Sequence, residues 1–183
     1  MMVSLDGYIE GENHDLSWHN TDQEFNTFAA KQMQEMGAIL LGHRTYNLMH
    51  SYWPAATPTD PGDAIVAQVM NTLPKYVFSR TLKKVKEEQN WRNIHIIKDN
   101  IGETLAQLKK EEGKDIAVLG SNNACVTLLE LGLLDEIRIM INPIALGKGT
   151  PLFTGIPEKK QFTLTDTKRF LNGNVLLTYS VNK

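Results

Sequence analysis

The chain has 183 residues, of which 42% are hydrophobic and 22% charged, a composition typical of one globular domain. A formal net charge of -2 at pH 7 gives no broad basic surface for nucleic acid, and no segment reaches the roughly 18 to 20 apolar residues of a membrane span. The single Cys125 cannot form an internal disulfide, and no signal-peptide pattern opens the sequence, so we expect a cytoplasmic protein.

The first segment combines a short strand with a polar loop. Met1–Ser4 predicts the end of a strand before a turn at Leu5–Tyr8. Because strands commonly run to about five or six residues, we expect further β-prone residues of this strand upstream of Met1. The polar stretch from Glu10 to Asn20 is predicted as a loop, and its Trp18 either covers a pocket or plugs the core.

A helix is predicted over about residues 22–36. Thr21 and Glu24 have the spacing of a capping box, and the apolar side chains that follow recur with helical periodicity until Gly37. The helix therefore leads directly into the next apolar run of the chain.

The run Ala38–Gly42 predicts a strand that is buried on both faces and that opens into a helix from His43. Ligands bind beyond the carboxyl ends of such strands, and the N–H groups at a helix N-terminus attract anions. Arg44 and Thr45 would suit a phosphate at this point. The alternative is an ordinary strand–helix joint with an exposed arginine.

The middle of the chain continues as alternating strands and helices, interrupted by the prolines at 54, 58 and 61. Polar clusters again follow two of the strands, at Ser79-Arg80-Thr81 and at Gly120-Ser121-Asn122. The predicted elements are a helix over 62–72, strands Tyr76–Ser79 and Ile94–Ile97, a helix capped by Asn100 and closed by Gly113, strand Ile116–Leu119, and a helix ending near Gly132.

The last third is rich in strands. Leu134–Leu146 predicts one long strand interrupted at Pro143, and Phe162–Phe170 with Val175–Val181 predicts a hairpin across Asn172-Gly173. Together the elements predict an α/β protein with three α/β/α layers, a mostly parallel central sheet and antiparallel C-terminal strands, forming a single domain over 1–183.

Several chemistries have no support in the sequence. The dinucleotide-binding Gly-x-Gly-x-x-Gly, the P-loop lysine motif, the Gly-x-Ser-x-Gly elbow and the His-Glu-x-x-His zinc helix are absent. The five histidines do not cluster with other ligands, so no metal site is expected. Three polar loops at strand ends remain as the candidate site.

Six short motifs, taken together, resemble the dihydrofolate reductase-like family that includes the reductase domain of the bifunctional riboflavin enzyme RibD. They occur in the order and spacing of that family and cover almost the whole chain. The motifs are Ser4–Ile9, Leu41–Tyr46, Val77–Leu82, Leu119–Ser121, Gly132–Glu136 and Pro143–Gly149.

The resemblance implies an NADPH-type cofactor held by the three polar loops. It implies that the first loop binds the pyrophosphate side, that the second reads the adenosine 2′-phosphate, and that the third lies against the phosphates and the nicotinamide side. Members often carry two basic residues after the first glycine, where this chain has His43 followed by Arg44. The implied cofactor residues are Gly42, His43, Arg44, Thr45, Ser79, Arg80, Thr81, Gly120, Ser121 and Asn122.

Hydride transfer also calls for a group that helps to protonate the acceptor. The stretch around Trp18, Glu24 and Phe28 resembles the part of dihydrofolate reductase in which a tryptophan precedes the helix with the substrate-binding carboxylate. Asp6, Asp22 and Glu24 are therefore the candidate catalytic carboxylates, and Trp18 and Phe28 the candidate substrate contacts. Each acid also has a structural interpretation: a turn for Asp6, a favourable first-turn charge for Asp22 and a capping box for Glu24.

The combined interpretation is an NADPH-dependent reductase that acts on a small heterocycle, either pterin- or dihydrofolate-like or 5-amino-6-(5-phosphoribosylamino)uracil-like. The chain lacks the Pro-Cys-x-x-Cys zinc signature of a RibD deaminase half, and its spacing from tryptophan to acid departs from dihydrofolate reductase. The alternative is a non-enzymatic nucleotide-binding protein that keeps the fold. We also expect a homodimer formed through Glu136–Ile141 and the C-terminal hairpin.

Overall fold

A computed structural model describes residues 1–58, 61–85, 87–88 and 90–182 of the chain. The chain divides into two compact units. The middle unit is Asn26–Ala124, and the terminal unit joins Met1–Phe25 to the chain from Cys125 onward. The expectation of a single domain over 1–183 stays a prediction.

Helices and strands alternate through the middle of the chain, and strands predominate at its end. The strands are β1 (Met2–Ser4), β2 (Tyr8–Glu10), β3 (Met36–Gly42), β4 (Lys75–Phe78), β5 (Ile94–Ile97), β6 (Asp115–Val118), β7 (Glu136–Asn142), β8 (Thr150–Pro151), β9 (Phe162–Arg169) and β10 (Val175–Val181). The α-helices are α1 (Gln23–Gln34), α2 (His43–Tyr52), α3 (Pro61–Thr72), α4 (Ile101–Leu108) and α5 (Asn122–Glu130), and short 3-10 turns cover Glu12–His14 and Trp53–Ala55.

The middle unit contains a four-stranded sheet in the order β5-β4-β3-β6, and all of its strand pairs are parallel. Ile39 and Leu41 of the inner strand β3 are fully buried and pack in a cluster with Tyr46, Val77 and Trp91. Successive side chains of a strand point to opposite faces, so the burial of Leu40 between them shows that both faces of β3 are covered.

A buried lysine binds backbone carbonyl groups at the C-terminal end of α3, a feature that sequence reasoning missed. The side chain of Lys75 has no solvent exposure, and its Nζ donates to the backbone oxygens of Asn71 at 3.2 Å, Leu73 at 2.9 Å and Arg92 at 3.1 Å. The same Nζ lies 4.5 Å from the centre of the Trp91 ring. Burial lowers the pKa of Lys75 to about 8, because desolvation disfavours the charged form.

The terminal unit contains a second four-stranded sheet, in the order β1-β7-β10-β9. Strand β1 is parallel to β7, whereas β7, β10 and β9 are antiparallel neighbours. The predicted hairpin is confirmed, with Gly173 at a φ of 91° in its turn. Strand β9 is at the edge of this sheet, and β7 is an inner strand. A separate ribbon pairs β2 with β8.

The predicted α/β class, with a parallel sheet, helices and antiparallel C-terminal strands, is confirmed. Among the described residues, however, the strands form separate sheets and not the single central sheet that was predicted. Two helix boundaries also differ. Helix α1 ends at Gln34 because Met36 already pairs with Asp115 of β6. Helix α4 ends at Leu108, before the predicted end at Gly113, and Asn100, which is at the predicted N-cap position in a left-handed conformation, makes no side-chain hydrogen bond to the helix.

Candidate functional site

The three predicted cofactor loops all follow strands of the middle unit's sheet. We name them the β3 loop (Gly42–Thr45), the β4 loop (Ser79–Thr81) and the β6 loop (Gly120–Asn122). Strand β3 lies between β4 and β6, and all three strands are parallel, so their carboxyl ends are adjacent at one edge of the sheet. Loops from three distant parts of the sequence therefore meet at one place.

Two hydrogen bonds join the β3 loop to the β6 loop. The N–H of Gly42 donates to the Ser121 Oγ at 3.1 Å, and the Thr45 Oγ1 donates to the backbone oxygen of Gly120 at 3.3 Å. A Cβ atom at residue 42 would collide with the Ser121 Oγ. Because Gly42 has a φ of -72°, a side chain at this position is disfavoured by this neighbour and not by an unusual backbone angle, since the Ser121 hydroxyl would have to turn away. Gly120, by contrast, has a φ of 60°, which lies in the left-handed region that favours glycine.

A chain of polar contacts joins the β4 loop to the β3 loop. The N–H of Leu82 donates to the Ser79 Oγ at 2.9 Å, and this hydroxyl lies 3.4 Å from the Thr81 Oγ1. The Thr81 Oγ1 in turn lies 3.3 Å from the His43 Nδ1. The three loops thus form one connected network, in which His43 is the link that the β3 loop contributes.

The N-terminus of α2 has the charge pattern of an anion site. Its N-cap residue, Gly42, has no side chain to cap the helix, and the first turn contains no acidic residue. The first turn does contain Arg44, which is exposed, and Arg80 of the β4 loop is exposed as well. The partial positive charge of the helix end is therefore combined with basic side chains, an arrangement that favours a phosphate group.

Asn122 is the first residue of α5 and is only 8% exposed. Its Oδ1 is shielded from solvent and has no hydrogen-bond partner in the described part of the chain. A buried acceptor without a partner is costly, by about 1 to 3 kcal/mol. Asn122 therefore has a vacant acceptor beside Ser121, which binds the β3 loop.

Asp6 lies in the terminal unit, where its carboxylate stabilises a turn. It accepts hydrogen bonds from the Ser4 Oγ at 2.6 Å, from the Leu146 N–H at 3.1 Å and from the Gly147 N–H at 2.7 Å. The hydrogen bond from Ser4, followed by those from Gly147 and Leu146, lowers the pKa of Asp6 to about 2. Such an acid is ionised at neutral pH, which argues against proton donation. Its catalytic role stays a prediction.

The other two candidate acids also have structural partners. Asp22 is the N-cap of α1, because its Oδ1 accepts the N–H of Phe25 at 2.8 Å. Glu24 was expected in a capping box, but its Oε2 accepts the N–H of Leu171 at 2.8 Å and its Oε1 lies 3.9 Å from the Lys168 Nζ. The capping assignment was one residue out of register, and the catalytic roles of both acids stay predictions.

The two predicted substrate contacts belong to different units. Trp18 of the terminal unit donates from Nε1 to the backbone oxygen of Asp15 at 3.0 Å and packs edge-on against His19. Burial lowers the pKa of His19, and its Nε2 has no partner within the described ranges. Phe28 is a partly buried residue of α1 in the middle unit. Neither predicted contact with substrate is tested.

Sequence reasoning missed a buried acid in the terminal unit. Glu10 is only 7% exposed, and its Oε1 lies 2.6 Å from the Thr150 Oγ1 and 3.0 Å from the His14 Nδ1. The spacing of four residues between Glu10 and His14 was the available signal, but the segment was treated as a polar loop.

The described residues contain no group of three or more metal-ligating side chains. They also contain no helix with the length and hydropathy needed to cross a bilayer.

Comparison with known proteins supports the resemblance noted in the sequence. Residues 1–176 match the family profile of the RibD C-terminal domain. Protein YyaP of Bacillus subtilis (strain 168), which is described as uncharacterized, is 33% identical over 184 aligned positions, covering 100% of this chain and 93% of YyaP.

Solved structures show the same fold. A putative riboflavin biosynthesis protein from Shewanella sp. PV-4 superposes with a TM-score of 0.76 at 22% identity, covering 100% of this chain and 97% of that one. A diaminohydroxyphosphoribosylaminopyrimidine deaminase/5-amino-6-(5-phosphoribosylamino)uracil reductase from Thermotoga maritima superposes with a TM-score of 0.72 at 16% identity. That match covers 99% of this chain and 55% of the bifunctional enzyme.

Proposed function

We propose that this chain, which belongs to the RibD C-terminal domain family, is an NADPH-dependent reductase that transfers a hydride to a small heterocycle. The acceptor would be pterin- or dihydrofolate-like, or 5-amino-6-(5-phosphoribosylamino)uracil-like. The observation that carries the proposal is the connected network of the β3, β4 and β6 loops, which combines an uncapped helix N-terminus with basic and hydroxyl side chains.

The residues of these loops fit a phosphorylated nicotinamide cofactor. Gly42, Thr45 and the N-terminus of α2 would bind the pyrophosphate, and Arg44, Ser79, Arg80 and Thr81 would bind the 2′-phosphate. His43 contacts Thr81, so the β3 loop would also help to order the 2′-phosphate residues. When bound, the reduced cofactor supplies the hydride.

The proton for the acceptor is the less supported half of the reaction. Asp6 accepts three hydrogen bonds, Asp22 caps α1, and Glu24 binds the turn of the β9–β10 hairpin. Because all three carboxylates have structural partners, the alternative of a nucleotide-binding protein without turnover has a specific observation in its favour. Cofactor binding is common to both proposals, and catalysis separates them.

Two measurements, made one after the other, test these proposals. NADPH and NADH are first titrated into the protein and binding is followed by fluorescence. NADPH oxidation is then followed with dihydrofolate, dihydropterins, oxidised pterins and the ribosylaminouracil as acceptors. Binding with turnover supports the reductase, and binding without turnover on any acceptor supports the alternative. If neither cofactor binds at roughly millimolar concentration, both proposals fail.

We also propose that the protein is a cytoplasmic homodimer. The sheet edge at β9 supports pairing between copies, since an edge strand has unpaired backbone groups and Leu164 on this strand is half exposed. Strand β7 was expected to take part, but both of its edges are already paired, with β1 and with β10. Pairing through β9 is therefore the version of the dimer that we propose.

A further inference from the structure

The turn of the β9–β10 hairpin contains Asn172-Gly173, the one Asn–Gly step in the sequence. In such a step the backbone nitrogen of the glycine can attack the side-chain amide carbon of the asparagine, because glycine has no Cβ to obstruct the approach. A new C–N bond closes a succinimide ring, and the amide nitrogen takes up the proton of the glycine N–H and leaves as ammonia. Water then opens the ring at either carbonyl carbon, which gives aspartate or isoaspartate. Gly173 is exposed and Asn172 is partly exposed, so water has access to this step.

Hydrogen bonds hold both reacting groups of this step. The Nδ2 of Asn172 donates to the backbone oxygen of Asn20 at 3.3 Å, and its Oδ1 accepts the N–H of Asn174 at 3.0 Å. One partner can only accept and the other can only donate, so together they fix the orientation of the amide. The N–H of Gly173 donates to the backbone oxygen of Phe170 at 3.1 Å. Closure of the ring removes the Asn172 Nδ2 and the Gly173 proton, so it requires that the bonds to Asn20 and Phe170 break.

Asn20 is itself held by the same turn. Its Nδ2 donates to the backbone oxygen of Asn172 at 2.8 Å and to the Asn174 Oδ1 at 3.3 Å, and its backbone oxygen also accepts the Asn174 Nδ2 at 2.7 Å. Its N–H donates to the Asn142 Oδ1 at 2.9 Å. Asn142 and Asn174 have no solvent exposure, so this part of the contact is shielded from water. The amide of Asn172 is therefore released only when a network of several bonds opens locally.

Deamidation replaces a donor by an acceptor at the contact with Asn20. An aspartate carboxylate has no N–H and is charged at neutral pH. One of its oxygens can keep the N–H of Asn174, but the other then faces the backbone oxygen of Asn20, and two acceptors at hydrogen-bond distance repel each other. Isoaspartate also adds a methylene group to the main chain, which displaces the turn. Neither product can restore the bond to Asn20.

We propose that Asn172 is a deamidation site whose reaction is controlled by the binding of Asn20 to the turn. While Asn20 is bound, Asn172 reacts slowly. When the contact opens, the Gly173 nitrogen attacks and ammonia is released, and the acidic product prevents Asn20 from binding again. The modification is thus a one-way release of the segment before Asn20, which includes Trp18. The proposal is independent of the reductase function, because it uses other residues and needs only water.

The first measurement compares the protein with an unfolded reference. The protein and a synthetic peptide with the sequence of residues 168–176 are incubated at mildly alkaline pH, where succinimide formation is faster. Asparagine, aspartate and isoaspartate at position 172 are then quantified by mass spectrometry. We expect the protein to react at least about tenfold more slowly than the peptide, since its reaction waits for local opening.

Variants test whether Asn20 controls the rate. Asn20→Ala removes the two contacts of its Nδ2 and should accelerate deamidation by about fivefold or more. The matched control is Ile137→Val, at a buried position of β7 that pairs with Tyr179, away from the turn. This variant lowers the stability of the same unit but keeps the contacts of Asn20, so its rate should stay close to that of the wild-type protein.

The variant Asn172→Asp tests the effect of the product directly. Hydrogen exchange followed by mass spectrometry should be faster over residues 17–21 than in the wild-type protein, because the carboxylate repels the Asn20 carbonyl oxygen. Asn47→Asp adds the same charge at an exposed position of α2 and is the matched control. It should leave the exchange of these residues unchanged.

Three results would overturn the proposal. The first is a wild-type protein that deamidates as fast as the peptide. The second is an unchanged rate in Asn20→Ala, or an equal acceleration in Ile137→Val. The third is unchanged hydrogen exchange in Asn172→Asp, which would show that the product still binds Asn20. Should Asn20→Ala fail to fold, the isosteric Asn20→Asp loses the same donor contacts and takes its place.

Discussion

The N–H of Gly42 and the hydroxyl of Ser121 are bonded at 3.1 Å, although 79 positions separate them in the sequence. This contact holds the end of β3 against the start of α5. A side chain at residue 42 would collide with this hydroxyl and displace it, so the two residues constrain each other.

We therefore predict strong coupling between substitutions at these two positions. Gly42→Ala should lower the free energy of unfolding by roughly 1 to 3 kcal/mol, since its Cβ collides with the hydroxyl. Ser121→Ala should cost about 1 kcal/mol through the lost hydrogen bond. The double variant should cost less than the sum, because the collision disappears with the hydroxyl. Urea unfolding of the four proteins measures the coupling.

A matched control is Gly113→Ala, which places its Cβ in open space and should be tolerated. Additive effects of Gly42→Ala and Ser121→Ala would show that the close approach of the two residues is wrong.

Arg44 and Arg80 are predicted to select NADPH over NADH. A charge-assisted contact to phosphate is worth roughly 1.5 to 3 kcal/mol, so Arg44→Ala or Arg80→Ala should weaken NADPH binding by about tenfold to a hundredfold. A loss confined to NADPH places the side chain at the 2′-phosphate, whereas equal losses for both cofactors place it at the pyrophosphate. Fluorescence titration of both cofactors makes the distinction.

Arg169→Ala, on β9 of the terminal unit, is the control and should change neither affinity. Should the wild-type protein bind NADH and NADPH alike, His43 has failed to replace one of the two basic residues that members of the family often carry, and the predicted selectivity is wrong.

Lys75 should make stability depend on alkaline pH. Its pKa is lowered from 10.5 to about 8 in the folded protein, so the unfolded chain binds more protons between these values. The free energy of unfolding should therefore rise from pH 8 to pH 10.5, by at most about 3 kcal/mol at 1.4 kcal/mol per pKa unit. Urea titrations across this range measure the rise.

The Lys75→Met variant isolates this effect. It removes the titrating group, so its stability should lack the alkaline rise even though it starts lower, with three backbone carbonyls left without their donor. The same rise in both proteins would assign it to other groups.

Asp6 should stabilise the terminal unit in its ionised form. Its pKa is lowered from 3.8 to about 2, so this stabilisation is present above pH 3.8 and is lost as the pH falls toward 2. Asp6→Asn should lower the Tm at pH 7, and the Tm values of the two proteins should converge near pH 2. If Asp6→Asn keeps its Tm at pH 7 but loses reductase activity, the residue is catalytic and its turn contacts are secondary.

The homodimer prediction can be checked by light scattering at micromolar concentration. We expect about twice the 20.6 kDa of one chain. Thr165→Pro on the edge strand β9 should shift the mass toward the monomer, because proline removes a backbone donor and blocks strand pairing. A monomeric wild-type protein contradicts the prediction outright.

The sequence predicted most strands and helices of the middle unit because hydrophobic periodicity and glycine punctuation are strong there. The run before Gly42 is an example: its apolar residues are buried, and a helix begins at His43 as predicted. Strand β2 was missed because three residues next to a turn carry too little pattern. Asp22 rather than Thr21 caps α1, since either residue type suits an N-cap and only the backbone decides between them.

Contacts between residues that are distant in the sequence set the main limit on predicting the candidate site. The three loops could be named from their motifs, but nothing local indicated that Ser121 would take the N–H of Gly42. Likewise, Glu24 fits a helix start on local pattern alone, and its bond to Leu171 appears only in three dimensions. The burial of Lys75 was missed for a similar reason, because a lysine at the start of a strand is ordinarily exposed.

The division into a continuous middle unit and a split terminal unit sets an order of events during synthesis on the ribosome. All four strands of the middle sheet have been made once Val118 emerges, so this unit can fold while the rest of the chain is still being translated. Strand β1 pairs only with β7 in its sheet, and the amino group of Met1 bonds to the backbone oxygen of Arg138, 137 positions later. The residues of β1 are thus synthesised well before their partner strand β7, and until β7 is made they are exposed to chaperones and proteases.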